Sequence, residues 1–452
     1  MMTYAEAIAW LDTFTNTERS GAFLWEGETS LVRERALLAQ LENPQRAYGI
    51  THVAGTKGKG STSALVAAIL QAAGIHTGLY TQPELHTLRE RIRAGQQLIS
   101  EDEMAGLLSQ VREALPGVDT SLGPFITYEL MTALALLFFR EAGAQHAVIE
   151  VGLGGRLDAT NIVEPMVSVI TSISYDHMHV LGNTLTEIAG EKAGIIKPGV
   201  PVVCSAQAPE AVAVINRRCE ERGAPLLRVG PEHTPDCQYT YQDEGADDKR
   251  QWFTITTPSQ SYRHLELSLL GAHQLENATA ATAVVETLRA QGLPVDEMAI
   301  RQGLRSARWP GRLQVVRRQP LLVVDGAHNA DSFARLFAAL RRHFVFGRLL
   351  LVLGTMADKD VSGIAAEIVH AGVNQVVVTG AAHPRAAAPD MLAAALASAR
   401  QREITICADV AAALRLALGE AGASDLVCVA GSLYLAGEVL RWAEKEQASQ
   451  RF

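Results

Sequence analysis

The most informative segment of this chain is Val53-Ala54-Gly55-Thr56-Lys57-Gly58-Lys59-Gly60-Ser61. An apolar run over residues 50–54 leads into it, and small apolar residues over 62–73 follow it. This pattern predicts a buried strand, a glycine-rich loop and a helix, in that order. Such a loop at a helix N-terminus binds phosphate, because its backbone N–H groups converge on the anion.

Each residue type in the loop suits phosphate binding. Gly55, Gly58 and Gly60 allow a tight backbone turn, Lys59 adds a positive charge and Ser61 offers a hydroxyl to a metal ion. We therefore expect a nucleoside triphosphate with Mg²⁺. The strict Walker pattern has Ser or Thr directly after the lysine, so this loop is a variant. The alternative is a purely structural turn, against which two lysines, three glycines and a hydroxyl argue.

Length and composition are those of an ordinary globular protein. With 452 residues the chain exceeds the usual size of a single core, so we expect two domains. Its 40 Lys and Arg against 49 Asp and Glu give a formal charge of -9, which argues against nucleic acid as a partner. Arg89, Arg91 and Arg93 could still form a local basic patch within this acidic chain.

Cysteines and apolar runs indicate the compartment. The five cysteines lack metal-ligand spacing, which predicts reduced thiols in a cytosolic protein. No secretory signal opens the chain, and its longest apolar run, residues 130–139, is far shorter than the ~20 residues of a membrane span. We expect a cytoplasmic monomer without a membrane segment.

Short apolar runs alternate with helical sequence along most of the chain, as in parallel sheets with crossover helices. We predict an α/β fold with an N-terminal P-loop ATPase-type parallel-sheet domain (1–306), a linker (307–311) and a C-terminal Rossmann-like α/β domain (312–452). Polar, acidic and aromatic residues over 231–263 predict a β-hairpin excursion. The predicted strands are 50–54, 147–151, 167–171 and 200–205 in the first domain and 321–324, 349–353, 375–378, 404–407 and 426–430 in the second.

Polar residues follow two predicted core strands, where α/β sheets place ligand-binding groups. Glu150 lies at the end of the strand at 147–151, and a carboxylate buried there needs a cation such as a metal ion. The alternative is an ion pair with Arg156. His177 follows the strand at 167–171, and it is either a hydrogen-bonded loop residue or, beside Glu150, a metal ligand or phosphate-orienting group.

A family resemblance is carried by segments that follow one another in a fixed order along nearly the whole chain. They are residues 55–61, 150–161, 176–177, 191–199, 273–274 with Asn277, 309–312, 325–329, 358–360 and 431–434. Together they resemble the folylpolyglutamate synthase and dihydrofolate synthase family, within the Mur-type ATP-dependent amide ligases. The set is far more specific than any single motif.

The resemblance implies a role for each matching position. ATP is bound by Gly55, Thr56, Gly58, Lys59, Gly60, Ser61, Asn277, Arg312, Asp325 and His328. Mg²⁺ is held by Ser61, Glu150 and His177. The pterin-bearing substrate contacts Tyr128, Leu157, Asp158 and Ala159. Lys192 matches a lysine that is carbamylated in the family, whereas from the residues alone it is a helix-surface lysine. The predicted catalytic residues are Lys59, Glu150, His177 and Lys192.

Several positions depart from the family pattern. Gln82 stands where the family usually has a metal-binding serine, so its amide oxygen is a candidate replacement ligand. Tyr128 stands where phenylalanine is commoner, and its hydroxyl is expected to tune the choice of pterin. Lys57 stands where asparagine is commoner.

The implied reaction is ATP-dependent amide formation. ATP phosphorylates a carboxylate of a reduced folate or dihydropteroate, and the amine of L-glutamate attacks the acyl phosphate. One alternative is another Mur-type ligase acting on a cell-wall precursor, whose loop usually ends Gly-Lys-Thr-Thr. A second alternative is a P-loop switch, which would leave Lys192, Asn277 and residues 325–329 without a function.

Overall fold

The phosphate-binding stretch follows a strand near the centre of an 11-stranded sheet. The computed structural model describes residues 2–20, 27–401 and 403–449. The strands of this sheet are β1 (Gly49–Ala54), β2 (Thr77–Tyr80), β3 (Ile92–Ala94), β4 (Gln97–Leu98), β5 (His146–Glu150), β6 (Val167–Ile170), β7 (Val202–Cys204), β8 (Leu226–Pro231), β9 (Tyr239–Ala246), β10 (Gln251–Thr256) and β11 (Ser261–Leu267). Their order is β11-β10-β9-β8-β7-β6-β1-β5-β2-β3-β4.

The middle of this sheet is parallel and its two edges are antiparallel. Neighbouring strands run parallel from β2 through β5, β1, β6, β7 and β8 to β9. In the register of these strands, Val53 pairs with Glu150 and Ala54 pairs with Ile170. The loop after β1, the end of β5 and the segment after β6 therefore meet at one edge of the sheet, where ligands bind in α/β folds.

Helices cover both faces of the first sheet. They are α1 (Tyr4–Leu11), α2 (Thr17–Ser20), α3 (Thr29–Gln40), α4 (Lys59–Ala72), α5 (Glu101–Ala114), α6 (Thr127–Glu141), α7 (Met178–Leu181), α8 (Leu185–Ala193), α9 (Pro209–Arg222), α10 (His273–Ala290) and α11 (Glu297–Ser306). Short 3₁₀ turns lie at Pro44–Arg46, Leu88–Arg91, Leu115–Gly117, Thr120–Leu122 and Ala159–Ile162. Helix α4 packs against α10 and α11 and buries Leu65, Val66 and Ile69 completely, which fixes the start of α4 at the phosphate-binding loop.

The second sheet has six strands: β12 (Gln314–Arg318), β13 (Leu321–Val324), β14 (Leu349–Leu353), β15 (Gln375–Val378), β16 (Ile404–Ile406) and β17 (Leu426–Ala430). Their order is β12-β13-β17-β14-β15-β16, and only β12 is antiparallel to its neighbour. The helices around it are α12 (Ala330–His343), α13 (Val361–His370), α14 (Pro389–Ser398), α15 (Val410–Glu420) and α16 (Leu433–Ser449). Separate apolar cores lie on its two faces.

The predicted fold class is confirmed, with an N-terminal and a C-terminal α/β domain that both contain parallel-rich sheets. The predicted β excursion over 231–263 corresponds to the antiparallel strands β9 to β11. The prediction of five strands in the second domain is wrong, because β12 adds a sixth. Its sequence, Gln314–Arg318, mixes polar and apolar residues as an edge strand does, and it lacks the continuous apolar run used to find the others.

The basic patch considered at Arg89, Arg91 and Arg93 does not form a shared surface. The Arg91 side chain is buried and makes ion pairs with Glu18 and Glu84. Burial removes this charge from the surface that a polyanion would need. The five cysteines carry free thiols, as predicted. None of the described helices combines the length and the apolar character that crossing a lipid bilayer requires.

Candidate active site

A cavity of about 400 Å³ lies between the two domains at the carboxyl edge of the first sheet. The phosphate-binding loop forms one wall, and the C-terminal domain contributes the opposite wall through Arg312, His328, Lys359 and Arg385. The predicted site residues that line it are Gly55, Thr56, Gly58, Lys59, Gly60, Gln82, Tyr128, Glu150, Leu157, Asp158, Ala159, His177, Lys192, Arg312 and His328. Predicted site residues as far apart in the sequence as Gly55 and His328 thus face one space.

Three further predicted residues adjoin this wall. Ser61 is buried in the first turn of α4, and its hydroxyl accepts a hydrogen bond from Gln274 Nε2 at 3.4 Å. Asn277 packs directly against the Cα of Gly58 and donates to Gln274 Oε1 at 2.9 Å. Asp325 accepts the backbone N–H of Leu313 at 2.8 Å, next to Arg312, whose charge partly offsets the rise in the Asp325 pKa that burial causes.

The loop conformation explains its glycines. Gly58 has φ +89° and is the N-cap of α4, a left-handed conformation that a side chain disfavours. A Cβ at Gly58 would also clash with Asn277, and a Cβ at Gly55 would clash with Thr171. The backbone N–H groups at the start of α4 therefore face the cavity without side chains in front of them, as anion binding requires.

A carboxylate and a lysine face each other beside this loop. Glu150 Oε1 lies 3.9 Å from Lys59 Nζ, and the backbone N–H of Gln82 donates to Glu150 Oε2 at 3.3 Å. Burial raises the pKa of Glu150 to about 7, against the opposing effect of Lys59. The alternative in which Glu150 pairs with Arg156 is wrong, because Arg156 donates to Glu191 at 2.9 and 3.0 Å.

Lys192 is buried, so the alternative of a helix-surface lysine is wrong. It lies in the last turn of α8, and its Nζ donates to the carbonyl oxygen of Gly55 at 2.9 Å. Burial lowers the pKa of Lys192 to about 7, and the positive charge of Lys59 acts in the same direction. A large fraction of this amine is therefore neutral near pH 7, which is the nucleophilic form that captures CO₂.

An ion cluster centred on Asp176 joins the two domains. Asp176 Oδ2 lies 2.8 Å from Lys57 Nζ, and Oδ1 lies 3.5 Å from Lys359 Nζ of the C-terminal domain. Although burial opposes it, the charges of both lysines hold the pKa of Asp176 far below its ordinary value. His177 also faces this carboxylate, with Nε2 at 3.9 Å from Oδ1.

His328 has a defined tautomer. Its Nδ1 lies 2.9 Å from the carbonyl oxygen of Gly326, so Nδ1 carries the proton. Nε2 is then an acceptor, and Lys57 Nζ donates to it at 3.1 Å. The charge of Lys57 and then burial lower the pKa of His328 to about 4, so the ring is neutral.

The part of the cavity wall that follows β5 is organised around Asp158. Its Oδ1 accepts hydrogen bonds from the Tyr128 hydroxyl at 3.0 Å and from the N–H and hydroxyl of Thr160 at 3.0 and 2.5 Å. Its Oδ2 accepts the N–H groups of Gly152 and Leu153, each at 3.0 Å. Five donors therefore hold this carboxylate and the glycine loop after β5 in one arrangement.

Gln82 belongs to the same part of the cavity wall. In the amide orientation that satisfies both of its atoms, the nitrogen donates to Glu18 at 2.9 Å, and the oxygen accepts the N–H of Gly152 at 3.0 Å. Its side-chain oxygen thus bonds to the wall beside Asp158. The role of Gln82 as a metal ligand stays a prediction.

The side chains around the loop include oxygen donors of the kind that Mg²⁺ binds. Among residues 2–20, 27–401 and 403–449, no three His, Cys, Asp or Glu side chains converge as a ready metal site. Mg²⁺ usually takes only one or two carboxylates together with phosphate oxygens and water. The Ser61 hydroxyl and the buried Glu150 carboxylate supply such oxygens, and burial lowers the pKa of His177 to about 4, which leaves its imidazole neutral. These residues fit the ion.

Sequence reasoning did not identify several residues of the cavity. Lys57, Asp176, Lys359 and Arg385 line it without having been assigned a role. Asp176 and Lys359 lie in segments that carried the family resemblance, which was the available signal. Arg385 lies in an irregular stretch before α14, and no sequence feature singled it out.

Two family models match the chain: the Mur ligase middle domain over residues 53–285 and the Mur ligase, glutamate ligase domain over residues 311–433. A dihydrofolate synthase/folylpolyglutamate synthase of Bacillus subtilis is 37% identical over 359 residues, which are 79% of this chain and 80% of that protein. This chain belongs to the folylpolyglutamate synthase and dihydrofolate synthase family of the Mur ligases.

Solved structures of this family have the same fold. A Mycobacterium tuberculosis folylpolyglutamate synthase complexed with ADP and AMPPCP superposes with a TM-score of 0.87 at 30% identity, covering 97% of this chain and 98% of that chain. An Escherichia coli FolC in complex with DHPP and ADP has a TM-score of 0.85 at 30% identity, covering 99% of both chains. As a folylpolyglutamate or dihydrofolate synthase, the chain is an ATP-dependent ligase that forms carbon–nitrogen bonds.

Proposed function

We propose that this ligase joins L-glutamate to the carboxylate of a reduced folate or of dihydropteroate, with ATP as the phosphoryl donor. The observation that carries the proposal is a cavity between the domains that is lined both by the phosphate-binding loop and by the Tyr128–Asp158 wall. The ADP, AMPPCP and DHPP of the related structures are the ligand types that these two parts of the cavity would receive.

The nucleotide end is set up for phosphoryl transfer. Loop N–H groups and Lys59 would bind the phosphates, and Asn277, Arg312, Asp325 and His328 would hold the rest of ATP from both sides of the cleft. These donors already point at the position of the transferring phosphoryl group. They therefore stabilise its negative charge with little reorientation during the reaction. The acyl phosphate formed in this way is protected from hydrolysis because the C-terminal domain closes the cavity.

The acceptor end would orient the pterin-bearing substrate. Tyr128, Leu157, Asp158 and Ala159 line this part of the wall. Because Asp158 already accepts five hydrogen bonds, we assign it to holding the wall in shape as well as to contacting the substrate. Gln82 supports the same wall through the N–H of Gly152.

We propose that Mg²⁺ is bound by Ser61, Glu150 and His177, with Gln82 left outside this set. The ion would neutralise phosphate charge and polarise the transferring group. Without the ion, burial raises the pKa of Glu150 to about 7. The positive charge of bound Mg²⁺ would favour the deprotonated carboxylate. We further propose that Lys192 carries a carbamate, for which its burial and its pKa of about 7 provide the neutral amine.

We also propose the domain bounds 1–306 and 312–452 with the linker 307–311, and a cytoplasmic monomer. The break between β11 and β12, which belong to different sheets, supports the linker position. Three of the five free thiols, those of Cys204, Cys219 and Cys428, are buried, which suits a reducing compartment. Light scattering of the purified protein would test the monomer.

The reaction is tested by measuring phosphate release from ATP with glutamate and either dihydropteroate or tetrahydrofolate. We expect turnover to require glutamate and at least one of these acceptors, and Lys59→Ala to lower kcat by ~10² to 10³ fold. Comparing the two acceptors shows whether the enzyme is monofunctional or bifunctional. ATP hydrolysis that needs neither acceptor nor glutamate would instead support the P-loop switch.

A further inference from the structure

Lys57 lies two residues before Lys59 in the phosphate-binding loop, but its ammonium group faces the C-terminal domain. Its Nζ lies 2.8 Å from Asp176 Oδ2 and 3.1 Å from Nε2 of His328. The side chain is 18% exposed and lines the cavity. Lys57 is therefore a loop cation that reaches across the cleft, whereas Lys59 faces Glu150 in its own domain.

The single carboxylate of Asp176 pairs with two lysines, Lys57 and Lys359. Lys359 Nζ lies 3.5 Å from Oδ1, on the other side of the carboxylate from Lys57. Removing the only partner of a buried charge is strongly destabilising, but Asp176 keeps Lys359 if Lys57 moves away. The arrangement allows Lys57 to change partners at low cost.

Lys57 shares the cavity with two other lysines, Lys59 and Lys192. Burial is the first cause of the lowered Lys192 pKa, and the charges of Lys59 and Lys57 both add to it. All three lysines line the same cavity as Asp158 and Tyr128 of the acceptor wall. A phosphoryl group that passes from ATP to an acceptor carboxylate has to lie in this cavity.

We infer that Lys57 is a second phosphate-binding lysine of this loop, which exchanges Asp176 for the γ-phosphate when ATP binds and stays hydrogen-bonded to His328. The inference rests on the proposed function, because it needs a triphosphate in this loop. In this arrangement one side chain ties the transferring phosphoryl group to the C-terminal domain, so the γ-phosphate favours closure of the cleft.

The test compares the binding of ADP and AMPPCP, which differ at the γ-position, by calorimetry with excess Mg²⁺. We expect Lys57→Met to weaken AMPPCP binding by about tenfold or more and to leave ADP binding within about twofold of wild type. The control is Lys249→Met, which removes the same charge from an exposed turn between β9 and β10 and should change neither affinity. Lys57→Arg should recover part of the AMPPCP affinity.

The inference is overturned if Lys57→Met weakens ADP and AMPPCP equally, or weakens neither. Lys57→Asn provides a second neutral variant with a small polar side chain, and melting curves of both variants show that each is folded. Wild-type protein that binds neither nucleotide would overturn the proposed function and this inference together. Wild-type protein that binds both, with an unchanged Lys57→Met variant, would overturn this inference alone.

Discussion

At the scale of single residues, a buried and neutral histidine, His52, supports the acceptor wall of the cavity. His52 of β1 is wholly buried, and its Nε2 lies 2.8 Å from the hydroxyl oxygen of Thr160. That hydroxyl donates to Asp158, so Nε2 of His52 is the donor in this pair. Burial lowers the pKa of His52 to about 3. The ring therefore supports the acceptor wall without carrying charge.

This burial makes stability depend on pH. Below its ordinary pKa of 6.5, His52 takes up a proton in the unfolded chain, but in the folded protein it stays neutral down to about pH 3. Stability contributed by this group is present above pH 6.5 and is lost as the pH falls toward 3. Between pH 6.5 and 5 the loss is on the order of 2 kcal/mol.

We predict that His52→Gln, which keeps a donor for Thr160 but does not titrate, reduces the loss of stability between pH 7 and pH 5 by about that amount. Urea unfolding at both pH values measures this slope. His76→Gln, at an exposed position, is the control and should leave the slope unchanged. An unchanged slope in His52→Gln would mean that His52 is charged in the folded protein at pH 5.

Lys192 gives a second prediction for a single residue. Because its buried amine is neutral for a large fraction of molecules near pH 7, we expect it to react with CO₂ and form a carbamate. Nuclear magnetic resonance with ¹³C-bicarbonate should show a carbamate signal in the wild type that is absent from Lys192→Ala. This variant should be nearly inactive and partly rescued by acetate. A wild type without the signal would contradict the proposed modification.

At the scale of elements, the unit formed by β1, the phosphate-binding loop and α4 is rigid because its neighbours hold it on all sides. Helix α4 touches α11 so closely that a Cβ at Gly303 would clash with the backbone of Ile69. At the other end of α4, Gly58 leaves no room for a side chain next to Asn277. The position of the loop N–H groups is therefore set by packing along the whole helix.

Gly58→Ala tests this element. The added methyl group would clash with Asn277 and strain a residue at φ +89°, so we expect the loop to shift and ATP binding to weaken by on the order of 10² fold. Gly74→Ala is the matched control, since Gly74 has φ +78° but open space around it. It should cost about 1 kcal/mol of stability and leave the KM for ATP unchanged. Equal KM values for both variants would refute the packing argument.

At the scale of the whole molecule, the domains meet on two sides of the linker. Away from the cavity, His343 of α12 accepts the N–H of Gly271 at 2.9 Å and donates to the carbonyl oxygen of Asp247 at 2.8 Å, and Arg342 pairs with Asp243. On the cavity side, the cluster around Asp176 makes the contact. The first set of contacts can act as a pivot, and the second set is the one that a closing or opening movement makes or breaks.

Trp309 connects the linker to the nucleotide end. The Trp309 ring packs against Gly60, since a Cβ added to Gly60 would lie 3.0 Å from Cζ2 of the ring. The Arg93 guanidinium lies 5.9 Å from the centre of the same ring. We predict that Trp309→Ala raises the KM for ATP and lowers kcat, together reducing kcat/KM by on the order of tenfold or more, because the linker no longer fixes the loop. Arg308→Ala, at an exposed neighbour, should have little effect. Steady-state kinetics decide between these outcomes.

The sequence by itself determined the features that depend on near neighbours in the chain. Strands β13, β14, β15 and β17 were predicted with their observed bounds, because buried parallel strands are continuous apolar runs between turns. The loop after β1 was recognisable for a similar reason, since its glycines and lysines act through a backbone turn of a few residues. The family resemblance extended these local patterns to the pairing of two α/β domains.

Only the tertiary structure decided how the charged residues are partnered. Lys57 and Asp176 are 119 positions apart, and Lys57 and His328 are 271 positions apart, so no spacing in the chain predicts these contacts. The protonation of Lys192 depends on the tertiary structure in the same way. Burial and the charge of Lys59, which is far from Lys192 in the sequence, lower the pKa of this amine. Burial and charge are sums over everything nearby in space, and that set of neighbours exists only after the two domains have folded and met.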